Sequence, residues 1–156
     1  MIKVLFVCLG NICRSPMAEA VFRDMINKEN LEGEIEIDSS GISDTHAGSR
    51  PHQGTRNLLD QNNISYEGIL SRQIEDRDWE RFDYIIAMDE ENVSDLRSLD
   101  RQTEGTVVKK LMDFVEEPQD VNVPDPYYTG NFDYTYQLVQ EGCSQFLSFL
   151  KEKHDL

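Results

Sequence analysis

A cysteine and an arginine stand five residues apart near the start of the chain, in Val7-Cys8-Leu9-Gly10-Asn11-Ile12-Cys13-Arg14-Ser15. Between them lies Gly10-Asn11, the two residue types that best tolerate left-handed or bridge backbone. A tight loop built this way turns successive N–H groups toward one point and forms a nest for an anion. Ser15-Pro16 reads as an N-cap followed by proline at the first helical position, and that helix would aim its positive dipole end into the same hollow. Arg14 offers a planar fork that fits two phosphate oxygens, which the point charge of lysine does not. Such a field favours the thiolate of Cys8, and the thiolate is the nucleophile. The Ser15 hydroxyl could stabilise it by a hydrogen bond. The loop therefore predicts thiolate attack on an arginine-bound phosphoryl group. A bare Cys-x5-Arg is a weak pattern; the preceding buried strand, the Gly-Asn pair and the capped helix make it specific.

A leaving oxygen of phenolate type departs poorly unless it is protonated, so a carboxylic acid must face the far side of the phosphate. Many acidic residues qualify by type. Pro124 and Pro126 bracket Asp125, push it toward an extended conformation and stiffen its loop. Pro-Asp-Pro is also an ordinary turn sequence.

These groups need a scaffold. Ile2 to Cys8 is apolar apart from Lys3, as expected of a strand buried on both faces of a parallel sheet. Behind Ser15, residues Ala18, Val21, Phe22 and Met25 recur at helical spacing. Glu34 to Ser40 reads as a second strand, Pro51 to Gln61 as a helix, and Glu75 to Phe82 as a helix with Trp79 in the core. Asp83 to Met88 is a third strand, followed by a helix through Leu96 and Leu99. Thr106 to Met112 is a weaker fourth strand. The last helix spans about Phe132 to Lys151, with Tyr136, Val139, Cys143, Phe146 and Leu150 on one stripe. Strands alternating with helices imply an α/β fold: a single-domain three-layer sandwich over 1–156, with a four-stranded parallel sheet and helices on both faces. Sites in such folds lie beyond the carboxyl ends of the strands, where Cys8 stands.

Composition narrows the partners. A formal net charge of -15 argues against nucleic acid and anionic membranes. It also obliges any phosphate site to make its positive potential locally. No apolar run approaches the roughly 20 residues of a membrane-spanning helix, and MIKVLFVC has the wrong flanks for a signal peptide, so the expected location is cytoplasmic. Three cysteines form no disulfide framework, and none of the three histidines shares a ligand spacing with them, so neither a metal nor another cofactor is expected.

VCLGNICRSPMAEA resembles the phosphate-binding loop of the low-molecular-weight protein tyrosine phosphatases nearly residue for residue. The likeness continues through Asp38-Ser39, Phe82-Asp83-Tyr84-Ile85 into Met88-Asp89-Glu90, and Asp125-Pro126-Tyr127-Tyr128. The resemblance implies a compact four-stranded α/β fold and hydrolysis of phosphotyrosine-containing proteins or peptides to inorganic phosphate. It implies Cys8 as nucleophile, Arg14 as clamp and Asp125 as general acid. Leu9, Gly10, Asn11, Ile12, Cys13 and Ser15 would surround the phosphate, and Tyr127 and Tyr128 would wall the pocket. Ser39 would brace the loop through Asn11, and Asp89 would support it from behind. By the same resemblance, Cys13 would capture oxidised Cys8.

Two positions depart from the family. Thr45 stands where many relatives carry tryptophan or tyrosine, and Ile69-Leu70 where many carry histidine. Substrate preference is the property they touch, with His46 beside the rim. Arsenate reductases share the loop but need further cysteines, whereas Cys143 lies on a core stripe. Arginine phosphatases carry threonine where Ile12 stands. A non-catalytic phosphotyrosine-binding module would have lost Cys8, Arg14 or Asp125.

Overall fold

The computed structural model describes residues 1–99 and 105–156. Strand β1 (Ile2–Cys8) lies inside a four-stranded sheet, between β2 (Ile35–Gly41) and β3 (Tyr84–Ala87), with β4 (Val107–Lys110) outside β3. All neighbours are parallel, and the register sets Val4 opposite both Ile37 and Tyr84, and Cys8 opposite Gly41. Because side chains alternate along a strand, β1 serves two cores. Val4, Phe6 and Cys8 face the first, with α1 (Arg14–Lys28), Leu59 of α2 (Gln53–Gln61) and α6 (Phe132–Lys153). Leu5 and Val7 face the second, with Trp79 of α3 (Asp78–Arg81) and Val93 and Leu96 of α4 (Glu90–Leu99). The four-stranded parallel sheet with helices on both faces is as expected.

The first core centres on three rings. Phe22 stacks on Phe146 at 5.2 Å, and Phe6 meets each of them edge-on. Phe146 is fully buried, so truncating it to alanine is worth about 3–5 kcal/mol. This cluster joins the first strand and first helix to the last helix. Gly142 allows α6 its close approach: a Cβ there would sit 2.5 Å from Leu111 Cγ.

Several boundaries differ from expectation. Helix α1 starts at Arg14, its N-cap position is Cys13, and no side chain caps it. Ser15 is not the cap because its hydroxyl is engaged by Cys8 and Asn11. Strand β4 stops at Lys110, where the Asp113 carboxylate accepts the Lys110 N–H at 2.9 Å and turns the chain into a 3-10 segment, Leu111–Phe114. Helix α2 begins at Gln53 rather than Pro51, with His52 Nδ1 accepting the Gly54 N–H at 3.0 Å. Of Glu75 to Phe82 only Asp78–Arg81 is helical, and Trp79 is buried there as expected.

Candidate active site

Cys8 is the last residue of β1, and the loop from Leu9 to Cys13 joins it to α1. The loop's carbonyls are turned outward and taken up by the surrounding chain. Cys8 O accepts from Ile42 N, Leu9 O from Ser43 N, Gly10 O from Ser71 Oγ, Ile12 O from His52 N and Cys13 O from Thr55 Oγ1. The N–H groups of Leu9 to Cys13 donate to nothing among the described residues. Carbonyls outward and amides free make the loop an anion nest. Gly41 is required for this packing, since a Cβ there would press to 3.0 Å from Leu9 O and 3.1 Å from Asn11 N.

Of the Gly10-Asn11 pair, Asn11 takes the left-handed conformation, with φ 54°, and Gly10 does not. Gly10 leaves space instead for the His46 ring, 3.2 Å from where its Cβ would stand. The Asn11 side chain pays for the unusual backbone by bonding on both ends. Its Nδ2 donates to Ser15 Oγ at 2.7 Å and to Ser39 Oγ at 3.1 Å, and its Oδ1 accepts from Arg72 N at 3.0 Å. Since Ser39 donates onward to Glu19 Oε1 at 2.6 Å, Ser39 accepts from Asn11. Ser15 likewise accepts from Asn11, and its own hydroxyl has two neighbours to donate to, Cys8 Sγ at 3.1 Å and Ser40 O at 3.4 Å. The shorter of these two contacts sets a hydroxyl beside the sulfur.

Arg14, only 2% exposed, reaches across the end of the sheet. Its Nη1 donates to Asp89 at 2.5 Å and to Val123 O at 3.0 Å, and its Nη2 to Asp125 at 3.2 Å. Its Nε is buried with no partner. Burial works against this cation, and the charge of Cys8 together with Asp89 and Asp125 more than offsets it, so the guanidinium is held above its ordinary pKa. Asp89 also caps α4, accepting from Asn92 N at 2.7 Å. Burial, then the charges of Cys8 and Asp125, push the Cys13 thiol up to about 12.

A cavity opens over Cys8. It is lined by Leu9, Gly10, Ile12, Cys13, Asp125, Tyr127 and Tyr128, and also by Ser43, Thr45 and His46. Asp125 is the N-cap of a one-turn helix, α5 (Pro126–Thr129), with its Oδ1 accepting from Tyr127 N at 3.1 Å. Tyr127 packs edge-on against Tyr128 at 5.2 Å and against His52 at 6.0 Å. The cavity thus has a thiol floor, an aromatic wall and a carboxyl at its mouth. The side chains of Asn11 and Ser15, expected around the phosphate, do not line the cavity and instead bond to each other, and Asn11 to Ser39, behind the loop, while the Asn11 N–H stays in the nest.

The departures divide. Thr45 and His46 do line the cavity. Ile69 belongs to the first core, and Leu70 is exposed. Cys143 is fully buried, and burial pushes its thiol up. Sequence reasoning missed Ser43, His52, Ser71, Arg72 and Glu19. Only Glu19 had a local signal, four residues before Arg23 on one helix face.

Comparison with known proteins agrees with this geometry. A family model described as low molecular weight phosphotyrosine protein phosphatase matches residues 3–156. The low molecular weight protein-tyrosine-phosphatase YfkJ of Bacillus subtilis (strain 168) is 51% identical over 156 residues, the whole of both chains. The crystal structure of the Bacillus subtilis YfkJ superposes with a TM-score of 0.94 at 52% identity, covering 98% of this chain and 96% of that one. A Drosophila arginine phosphatase, DARP, superposes at 0.89 with 33% identity, covering 96% and 98%.

Proposed function

The chain belongs to the low molecular weight phosphotyrosine protein phosphatases, and from that premise we propose that residues 1–156 act as one such domain, on phosphotyrosine in proteins or peptides. One observation carries the assignment of roles. A buried arginine with an unpartnered Nε stands beside a loop whose amides are free and whose first residue is a cysteine.

The phosphate oxygens take the loop N–H groups and the Nε edge of Arg14. Cys8 Sγ then attacks phosphorus, the bond from phosphorus to the phenolic oxygen breaks, and Asp125 gives its proton to the departing oxygen. In the second step the Asp125 carboxylate takes a proton from water. The water oxygen bonds to phosphorus, the sulfur–phosphorus bond breaks, and inorganic phosphate leaves. Arg14 is poised for charge developing on the equatorial oxygens, because Asp89 and Val123 O hold the guanidinium in place throughout.

Phosphotyrosine is favoured over phosphoarginine because Ile12 and Tyr127 present apolar and aromatic surface to the ligand. An arsenate relay is disfavoured because Cys143 is fully buried in the first core. Among the described residues no helix is long and apolar enough to cross a membrane. The test is turnover of matched phosphotyrosine, phosphoarginine and phosphoserine peptides, with arsenate reduction assayed alongside. Preference for phosphoarginine, or arsenate reduction with no phosphatase activity, would sink the reading.

A further inference from the structure

We propose that Arg72, outside the cavity, is a positioning residue of the phosphate loop that acts through its own backbone N–H on Asn11. The proposal rests on the reading of that loop given above. Asn11 holds a left-handed conformation that L residues rarely adopt. Two of its side-chain contacts come from ordered neighbours, Ser15 in α1 and Ser39 in β2. The third, Arg72 N to Asn11 Oδ1 at 3.0 Å, comes from the stretch between α2 and α3, which has no helix or continuous ladder of its own. A donor on such a stretch orients an amide only if something fixes it.

The Arg72 side chain supplies that fixing. Its fork closes on Asp78, with Nη1 to Oδ2 at 2.9 Å and Nη2 to Oδ1 at 3.1 Å, and Nη2 also reaches Asp38 at 3.2 Å. Asp78 is 1% exposed and also accepts the Glu75 N–H at 2.8 Å. The pair is thus a bidentate bond onto a buried carboxylate, the arrangement in which arginine adds geometric specificity, and not a mobile surface pair of negligible worth. The same residue is tied along its backbone: Arg72 O accepts from Gly41 N, and Ile74 N donates to Gly41 O, both at 2.8 Å. Next to it, Ser71 Oγ donates to Gly10 O at 3.1 Å. Consecutive residues 71 and 72 therefore hold consecutive loop residues 10 and 11, from the side away from the ligand.

The test separates positioning from mere stabilisation. Arg72→Gln keeps the backbone N–H and removes the fork. It should lower kcat and weaken inorganic phosphate binding together, each by about tenfold, the scale of a small misplacement at a reacting centre. Arg72→Lys should recover part of both. If Arg72 works through Asn11, then in an Asn11→Ala background Arg72→Gln should cost less than about twofold, since coupled residues are not additive. A Val93→Ala variant, destabilised in the second core, should match its melting temperature while keeping kcat and phosphate affinity. Additive losses in the double variant, or equal losses in Val93→Ala, overturn the proposal. If Arg72→Gln does not fold, Asp78→Asn and Arg72→Lys carry the same cycle. Phosphate affinity is read by calorimetry without any ester, so a wrong substrate class would leave this result interpretable.

Discussion

Replacing Asp125 by asparagine and by alanine separates two jobs that the side chain performs at once. As the N-cap of α5 it accepts the Tyr127 N–H at 3.1 Å. Asparagine accepts the same bond, whereas alanine forfeits it, at a cost of about 1 kcal/mol, or roughly 2–4 °C in melting temperature for a chain of this length. As an acid, Asp125 must deliver a proton, and neither replacement can. Both variants should therefore lose about 10²- to 10⁴-fold in the rate of phosphoenzyme formation, while alanine lowers the melting point further than asparagine, since both lose the charge beside Arg14 but only alanine loses the cap. The loss should depend on the ester. A phenol of pKa about 10 needs the proton badly; a nitrophenol, more acidic, needs it less. Single-turnover quench with phenyl phosphate and nitrophenyl phosphate should show the first slowed more than the second. Phosphate affinity should not fall, because the carboxylate 3.2 Å from Arg14 Nη2 competes with the ligand for the guanidinium. Equal slowing of the two esters would refute the assignment. So would an asparagine variant of near-normal rate, since the cap alone would then be what matters. Asp89 is the next carboxylate, but both its oxygens are already engaged, by Arg14 and by Asn92 N.

Cys8→Ser should abolish turnover and still bind phosphate or vanadate, and Arg14→Lys should lose both rate and affinity; residual turnover in the serine variant would end the covalent scheme. After peroxide, Cys13→Ala should regain far less activity with reductant than the parent. Disulfide closure by the Cys13 thiolate onto the Cys8 sulfenic acid, releasing hydroxide, should quicken as pH rises, because burial holds the Cys13 thiol above its ordinary range; a pH-independent closure rate removes Cys13 from that reaction. Burial pushes the Glu19 carboxyl up, and the bonds from Ser39 and Arg23 only partly offset this. A raised folded-state pKa contributes stability below the unfolded carboxyl range and loses it as pH rises through the folded value. Urea melts should therefore show the parent's advantage over Glu19→Gln narrowing as pH rises above the ordinary carboxyl range, and a constant gap would contradict the burial argument.

What the sequence displays depends on how local the cause is. Cys8 to Arg14 is legible because strand, turn chemistry and helix start are contiguous, and the order of strands and helices follows from periodicity. Ser15 misleads as a cap because the same hydroxyl serves equally well as a donor to a thiolate, and only the fold decides. The fourth strand reads too long because Leu111 and Met112 are apolar for a different reason, burial beneath α6 in a 3-10 segment. Ile69-Leu70 reads as one substituted stretch, yet one side chain is core and the other is exposed. Arg72 is invisible in advance because its partner Asn11 is 61 positions away, and no periodicity encodes a backbone donor. The glycines at 54 and 142 are equally silent, although a Cβ at either would stand 2.5 Å from a neighbouring side chain.

The order in which the site's parts occur along the chain bears on how the protein is made. Cys8, the proposed nucleophile, is the eighth residue, and its strand pairs with β2. The groups that hold Arg14 come much later, at Asp89, Val123 and Asp125, and α6, which closes the first core, ends at Lys153. During synthesis, at about 5–20 residues per second, Cys8 leaves the ribosome seconds before the groups that hold Arg14 exist. Throughout that interval it is an unshielded thiol on an unfinished sheet, open to whatever oxidant or electrophile the cell contains. Catalytic competence is therefore the last property the nascent chain acquires, although its chemistry is written at the very beginning.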